Sequence, residues 1–173
     1  MAISTGKNIL GIDPGLTATG FGLISFATHK MTVIDYGLLK ASSATSLTKQ
    51  LFSLYKQLSC LLKLYKPDEV AVEQLFFGSN TRTAFKVGQA RGAILLACGS
   101  LGYEPAEYTP LEVKMALTGY GRAGKQQVQS MVKNVLALKE RPTPDDAADA
   151  LAVAICHAHS LAVKKAVANA YAK

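Results

Sequence analysis

The sequence contains few cysteines, no tryptophan and no long uninterrupted apolar run. Its three cysteines, Cys60, Cys98 and Cys156, are far apart and lie in apolar stretches, which is typical of reduced thiols in the core of a cytoplasmic protein. No Cys-x-x-Cys pair occurs, so a cysteine-bound metal is not expected. No run reaches transmembrane length, and Lys7 and Asn8 interrupt the N-terminal segment, which lacks a signal-peptide core. We therefore expect a cytoplasmic protein without a membrane anchor.

Acidic residues are also scarce, with 12 Asp and Glu against 19 Lys and Arg and a net charge of +7. A basic surface is typical of proteins that bind polyanions such as nucleic acids. The 173 residues are 49% hydrophobic, enough for one domain with a substantial core. No linker or repeat is visible. We expect a single domain over 1–173, with a loosely ordered Ala/Lys-rich tail from about residue 160.

Four of the scarce acidic residues occupy positions that suggest chemistry. Asp13 and Glu73 each end a short apolar run that is typical of a strand, and strand ends gather ligands at one edge of an α/β sheet. Asp146 and Asp149 are three residues apart in a helical run, so they share a helix face. Four carboxylates brought together in this way predict a site for divalent metal ions.

Three of the four carboxylates also have a structural interpretation. Asp13 begins an Asp-Pro-Gly segment that forms turns well, and we weigh turn and metal site equally there. Glu73 could be a solvated strand end, although apolar residues flank it on both sides and a buried charge needs a partner. Asp146 could form a capping box with Thr143. Capping does not explain Asp149, which belongs to the second turn of an apolar helix.

Apolar periodicity predicts five strands and five helices. The strands are expected near 8–13, 20–27, 31–39, 69–74 and 103–108, and the helices near 47–65, 81–100, 109–118, 125–138 and 144–168. The first three strands form a meander, with a hairpin connection at 28–30. Thr143 is the expected N-cap of the last helix and Pro144 its first residue. This order of elements indicates an α/β fold with a mixed sheet.

Five segments of the chain carry a family pattern: GIDPGLTATGFG at 11–22, VEQLF at 72–76, KVGQARG at 86–92, KQQVQ at 125–129 and DAADALA at 146–152. Together, and in this order, they resemble the bacterial RuvC Holliday-junction resolvases over about residues 8–159. The resemblance implies an RNase H-like fold, with a mixed five-stranded sheet and helices on both faces. It also implies a homodimeric, Mg²⁺-dependent endonuclease that cuts two strands of like polarity at a four-way DNA junction, working with the RuvA and RuvB branch-migration proteins.

By this resemblance, the catalytic and metal-binding residues are Asp13, Glu73, Asp146 and Asp149. Two Mg²⁺ ions are expected in each active site, with Mn²⁺ as a possible substitute. Asp145 stands where the family commonly has a small apolar residue, and its role stays open.

Basic residues supply the candidate DNA contacts. Lys114 and Lys125 correspond to family residues near the scissile phosphate, and Lys125 begins a helix whose N-terminus attracts anions. Arg82 and Lys86 share a helix face, and Arg122 lies in a Gly-rich loop. For each of them, a solvated surface charge is the alternative.

Aromatic and small residues complete the expected sites. By the resemblance, Phe76 is a wedge that stacks on bases at an opened junction, with Phe77 a less certain neighbour, and core packing is the alternative for one of the two. Ala84, Gly88 and Gly92 form a small-residue stripe on one helix, and the family places this helix at the dimer two-fold.

Other classes of protein remain as alternatives. Residues 119–125 fit the start of a P-loop, but Gln126 replaces the required Ser or Thr and the preceding segment looks helical, so nucleotide binding is not expected there. Residues 11–17 resemble the phosphate loop of actin-like ATPases and sugar kinases, which need two related domains. A non-catalytic junction-binding protein and an RNase H-like nuclease acting on RNA are the remaining rivals.

Overall fold

The computed structural model describes residues 6–28, 30–74 and 81–171. Within these ranges the strands are β1 (Lys7–Asp13), β2 (Ala18–Ala27), β3 (Lys30–Lys40), β4 (Glu69–Glu73) and β5 (Ala106–Tyr108). The helices are α1 (Leu47–Tyr65), α2 (Thr81–Gly99), α3 (Pro110–Thr118), α4 (Lys125–Val135) and α5 (Asp145–Tyr171). Every predicted element is confirmed, with differences of a few residues at the ends.

The strands form one mixed sheet in the order β3-β2-β1-β4-β5. β1, β2 and β3 pair antiparallel as the predicted meander, whereas β4 runs parallel to both β1 and β5. Pairing of β2 with β3 extends to Ala27 and Lys30, so Lys30 belongs to β3 and not to the predicted hairpin connection. Because β1 and β4 are parallel neighbours, Asp13 and Glu73 end at the same edge of the sheet.

Helices cover both faces of the sheet, as expected. Leu10 and Ile12 of β1 pack with α1 and α2 on one face, whereas Ile9 packs with α3, α4 and α5 on the other. All three side chains are fully buried. This two-sided burial explains why β1 reads as a continuous apolar run instead of alternating with polar residues.

Glycines in β1 and β2 let α5 lie directly against the sheet. A Cβ added at Gly11 would be 2.2 Å from the Ala150 carbonyl oxygen, and one added at Gly20 would be 1.9 Å from the Asp146 carbonyl oxygen. Real side chains do not tolerate such distances, so only glycine permits this approach. Gly20 also pairs with Asp13 across β1 and β2. The sheet therefore sets the first turn of α5 beside the end of β1.

The start of α5 differs from the sequence prediction. The helix begins at Asp145, and the carbonyl of Pro144 accepts hydrogen bonds from the backbone N–H groups of Ala147 and Ala148 at 3.1 and 3.2 Å. Pro144 therefore takes the N-cap position, where its missing N–H costs nothing. The N-cap role predicted for Thr143 is wrong, because Thr143 lies one residue before the cap. The capping-box interpretation of Asp146 loses its basis with it.

Two expectations from composition also need correction. Cys98 and Cys156 are buried as expected, and burial raises their thiol pKa values to about 11 and about 12, but Cys60 is exposed. The segment Asp145–Ala168 of α5 is long and apolar enough to cross a membrane by length and composition, contrary to expectation. Half of the most apolar 18-residue stretch of this segment is buried inside the protein. The core helix of a soluble protein can be equally long and apolar.

Candidate metal centre

Three carboxylates from distant parts of the sequence meet at one edge of the sheet. Asp13 comes from the end of β1, and Asp146 and Asp149 come from the first two turns of α5. One oxygen atom of each lies within 4.8 Å of an oxygen atom of the other two. All three residues are partly buried, so the oxygens are held by the fold and still reachable from solvent.

Glu73 supplies a fourth carboxylate at the end of β4. Its side chain shares a hydrogen bond with Asp13, which requires a proton on one of the two groups when no cation is bound. All four acids selected from the sequence are therefore neighbours in the structure.

The electrostatics of this group disfavour its fully charged form. Burial, and after it the charges of Glu73, Asp149 and Asp146 in that order of size, together raise the pKa of Asp13 from 3.8 to about 8. Burial also raises the pKa values of Glu73 and Asp149. Closely spaced carboxylates out of water need either protons or a cation to balance them.

The donor set fits a hard divalent cation. Every ligand atom in the group is a carboxylate oxygen, and the described histidines and cysteines are not part of it. Oxygen ligands of this kind are those that Mg²⁺ and Mn²⁺ take in proteins. A bound cation would replace the protons that the metal-free group needs at neutral pH.

The turn after Asp13 does not depend on the Asp13 side chain. The Thr19 hydroxyl donates to the Gly15 carbonyl at 2.6 Å and accepts from the Gly15 N–H at 3.3 Å. Thr19 is fully buried, so these bonds hold the turn firmly. These bonds do not use the Asp13 carboxylate, which shares a hydrogen bond with Glu73. This arrangement favours the metal-site interpretation over the turn interpretation.

Lys125 brings a positive charge to the carboxylates. Its Nζ lies 3.1 Å from Asp149 Oδ2 and 3.3 Å from Asp145 Oδ2. The other oxygen of Asp145, Oδ1, accepts from Gln129 Nε2 at 2.9 Å. The hydrogen bonds and charges of Asp149 and Asp145 raise the pKa of Lys125 despite its partial desolvation. Asp145 therefore has defined partners and is not an idle surface acid.

The contacts of Lys125 and Gln129 with Asp145 were not predicted from the sequence. Lys125 and Gln129 are four residues apart on α4, so they share a helix face, and that spacing was the available signal. It did not identify Asp145 as the partner, because the sequence does not reveal that α4 packs against the start of α5.

A cavity of about 190 Å³ opens beside the carboxylates. Two of the three lysines that were selected from the sequence, Lys114 and Lys125, line it, together with two of the acids. The lining residues are Glu73, Pro110, Val113, Lys114, Lys125, Val128, Asp149 and Ala152. The charge of Lys114 acts on Glu73 and lowers its pKa against the larger effect of burial. This cavity, called the cleft below, is therefore lined by two carboxylates and two cationic side chains.

The remaining predicted residues lie away from this cavity or outside the described part of the chain. Lys86 on α2 and Arg122 in the loop between α3 and α4 are exposed, and neither lines the cavity. Phe76 and Phe77 lie outside the described residues, as does the side chain of Arg82. Their predicted DNA contacts stay predictions.

The small-residue stripe lies on α2. The side chain of Ala84 is outside the described residues, Gly88 is partly exposed and Gly92 is exposed. A Cβ added at Gly92 would meet no atom within 4 Å, so nothing within the described chain requires glycine there.

The segment that resembles a P-loop follows a helix, not a strand. Gly119 is the C-cap of α3, and Gly124 is the N-cap of α4. The predicted helical context is confirmed, which removes the structural requirement of that motif.

A mixed sheet with helices on both faces and acidic residues gathered at one edge defines the class of metal-dependent nucleases with an RNase H-like fold. The family crossover junction endodeoxyribonuclease RuvC matches residues 9–157. This chain belongs to that family.

Relatives and solved structures agree with this assignment. A crossover junction endodeoxyribonuclease RuvC from Clostridioides difficile (strain 630) is 49% identical over 161 residues, covering 93% of this chain and 95% of the relative. One from Alkaliphilus metalliredigens (strain QYMF) is 52% identical over 152 residues, covering 88% and 93%. T. thermophilus RuvC in complex with a Holliday junction substrate has a TM-score of 0.83 at 37% identity, covering 88% of this chain and 93% of that one.

A more distant structure shows the fold alone. The yeast mitochondrial Holliday junction resolvase Ydc2 has a TM-score of 0.66 at 11% identity and covers 90% of this chain. The expected RNase H-like fold is confirmed by these matches.

Proposed function

We propose that this chain is a metal-dependent endonuclease that resolves four-way DNA junctions by paired nicks in two strands of like polarity, during recombination and repair in the cytoplasm. The observation that carries the proposal is the convergence of Asp13, Asp146 and Asp149 within 4.8 Å, with Glu73 hydrogen-bonded to Asp13. Membership of the RuvC family supports the substrate. The chain 1–173 acts as a single nuclease domain in this proposal.

Asp13, Glu73, Asp146 and Asp149 would hold the metal, which we propose is Mg²⁺, two ions per site, with Mn²⁺ as a substitute. When bound, such ions polarise a phosphoryl oxygen and lower the pKa of water, which favours hydrolysis of a phosphodiester. Asp13 contacts Glu73 and also lies within reach of the helix pair, so it would contribute to holding both ions. Asp146 and Asp149 are held one turn apart by α5.

Lys114 and Lys125 orient the DNA in this mechanism. Both line the same cleft as Glu73 and Asp149, so a phosphate in the cleft would have two ammonium groups beside the carboxylates. Charge-assisted contacts of this kind position the backbone without reading sequence. Lys86, Arg82 and Arg122 extend the basic surface in this proposal.

Phe76 and Phe77 are proposed to act at the junction centre, with Phe76 as the wedge between bases. They are three and four residues after Glu73 in the sequence, and Glu73 is the last residue of β4. Stacking on an aromatic ring offsets part of the cost of unstacking a base.

The active protein is proposed to be a homodimer that meets along α2. Ala84, Gly88 and Gly92 allow close approach, and Phe85 and Leu96 on the same helix are 69% and 66% exposed. Large exposed apolar side chains near a glycine that has free space above it favour contact with another protein chain. A two-fold dimer matches the symmetry of a four-way junction with two like strands to cut. RuvA and RuvB are the proposed branch-migration partners.

The test is cleavage of a synthetic four-way junction by purified protein, with Mg²⁺ or with EDTA. We expect symmetric nicks with Mg²⁺ and none with EDTA, while linear duplex of the same sequence is left intact. Binding to the junction without Mg²⁺-dependent nicking would favour a non-catalytic junction-binding protein. Cleavage of an RNA–DNA hybrid in preference to the junction would favour the RNA-directed nuclease, and ATP hydrolysis would favour the actin-like class.

A further inference from the structure

A chain of four side chains joins α4 to the start of α5 at the edge of the cleft. Gln129 Nε2 donates to Asp145 Oδ1 at 2.9 Å, and Lys125 Nζ lies 3.3 Å from Asp145 Oδ2 and 3.1 Å from Asp149 Oδ2. Each oxygen of Asp145 therefore has its own partner. Lys125 is shared between an acid that belongs to the carboxylate group, Asp149, and one that does not, Asp145.

Lys125 and a metal ion would compete for the Asp149 carboxylate. A cation bound by Asp149 needs an oxygen of that carboxylate, and an ammonium 3.1 Å from Asp149 Oδ2 holds one of the two oxygens and repels the ion. A cation at Asp149 therefore weakens the contact of that carboxylate with the ammonium. Whether the ammonium stays in the cleft depends on a second partner.

Asp145 meets the requirements for that second partner. Its Oδ2 is already in contact with Lys125, so the lysine need not change its position to keep a counter-ion. The Asp145 side chain is 64% exposed, compared with 29% for Asp149, so it stays charged at little cost. Gln129 is buried and fixes the orientation of Asp145 through the other oxygen.

We infer that Asp145 is a positioning residue for Lys125: it keeps the ammonium in the cleft and thereby frees the Asp149 carboxylate for a cation. The inference rests on the proposed metal site. Without Asp145, Lys125 would pair with Asp149 alone. The cation would then have to displace the ammonium from its only carboxylate partner in this group. With Asp145, the same lysine remains available to a DNA phosphate after the cation has bound.

The test measures binding of Mn²⁺, the probe ion, by the electron paramagnetic resonance signal of free Mn²⁺. Four proteins form a double-mutant cycle: the wild type, Asp145→Asn, Lys125→Met and the double variant. Asp145→Asn keeps an oxygen that can accept from Gln129 but loses the charge that holds Lys125. Glu140→Gln, at an exposed acid in the loop before α5, is the matched control for the loss of one negative charge.

Asp145→Asn is expected to weaken Mn²⁺ binding by about two- to fivefold, the factor that a partly exposed ion pair contributes. Lys125→Met is expected to tighten binding, because the competitor is gone. In the Lys125→Met protein, adding Asp145→Asn should leave the Mn²⁺ affinity unchanged, since no lysine remains to be positioned. Glu140→Gln should leave the affinity at the wild-type value.

Two outcomes overturn the inference. An equal loss of affinity from Asp145→Asn in both backgrounds would mean that Asp145 acts only through its charge, and no loss in the wild-type background would mean that it does not act on the site. Urea unfolding of each variant shows whether the fold is retained. If the wild type does not bind Mn²⁺, the proposed metal site itself is refuted. That result differs from equal effects of Asp145→Asn in both backgrounds, which would refute only the role of Asp145.

Discussion

Replacing Asp13 by Asn should stabilise the metal-free protein while removing its ability to bind a cation. The carboxyl has an ordinary pKa of 3.8 and a folded-state pKa of about 8, chiefly because it is buried. A carboxyl whose pKa is raised on folding contributes full stability below its unfolded pKa and loses that contribution as the pH rises towards the folded value. The wild type should therefore become less stable between about pH 4 and pH 8.

The magnitude follows from the two pKa values. At pH 7 the difference from the unfolded pKa is 7 − 3.8 = 3.2. At 1.36 kcal/mol for each pH unit, the upper limit is about 4 kcal/mol. We expect about 2–4 kcal/mol in practice, because the group is not fully buried. Asn has the same shape, and its amide can donate to Glu73 as the protonated Asp13 does.

The assay is urea unfolding in EDTA, followed by circular dichroism at pH 4 and pH 7, for the wild type and Asp13→Asn. The stability advantage of the variant should grow by about 2–4 kcal/mol between the two pH values. Adding Mg²⁺ at pH 7 should stabilise the wild type and leave the variant unchanged, because binding to the native state raises its stability. The same advantage at both pH values, or a variant that is less stable at pH 7, would refute the reasoning.

Three further substitutions test other parts of the site. Gly20→Ala should lower both the free energy of unfolding and junction cleavage, because the new Cβ would lie 1.9 Å from the Asp146 carbonyl oxygen. The control Gly99→Ala should lower neither, because its new Cβ meets nothing within 4 Å. Equal tolerance of both substitutions would contradict the close approach of α5 to Gly20. Lys114→Ala should weaken junction binding and flatten the slope of log K against log salt by about one unit, whereas an unchanged slope would reduce Lys114 to a surface charge. Phe76→Ala should lower cleavage of intact junctions with partial rescue on pre-opened junctions, whereas a loss of stability of about 3–5 kcal/mol would show a core residue.

The secondary structure could be predicted from the sequence because its signals are local. β1 is an apolar run closed by Pro14 and Gly15, and α5 is a long apolar segment, so both appear without knowledge of their neighbours. The four carboxylates were found because each interrupts or ends such a run. The strand ends and the helix spacing predicted their grouping, and the family resemblance supplied their roles.

What the sequence did not reveal depends on contacts between elements. The contact of Lys125 with Asp145 and Asp149 requires α4 to pack against the first turn of α5, which no local pattern encodes. The closeness of Gly20 to Asp146 likewise depends on how far α5 settles onto the sheet. Thr143 has the residue type and position typical of an N-cap, yet the helix begins one residue later than predicted.

Cleavage by the Asp149→Asn protein tests the metal-centre mechanism most directly. The substitution keeps the size of the side chain and its place in α5 but removes one charge from the carboxylate group. Glu140→Gln removes a charge elsewhere and serves as the matched control. We expect Asp149→Asn to bind a four-way junction at least as well as the wild type but to nick it at least about 100-fold more slowly with Mg²⁺, since even outer-shell changes at metal sites cost about 10- to 100-fold. Near-normal Mg²⁺-dependent nicking by Asp149→Asn would contradict a catalytic role for the α5 pair.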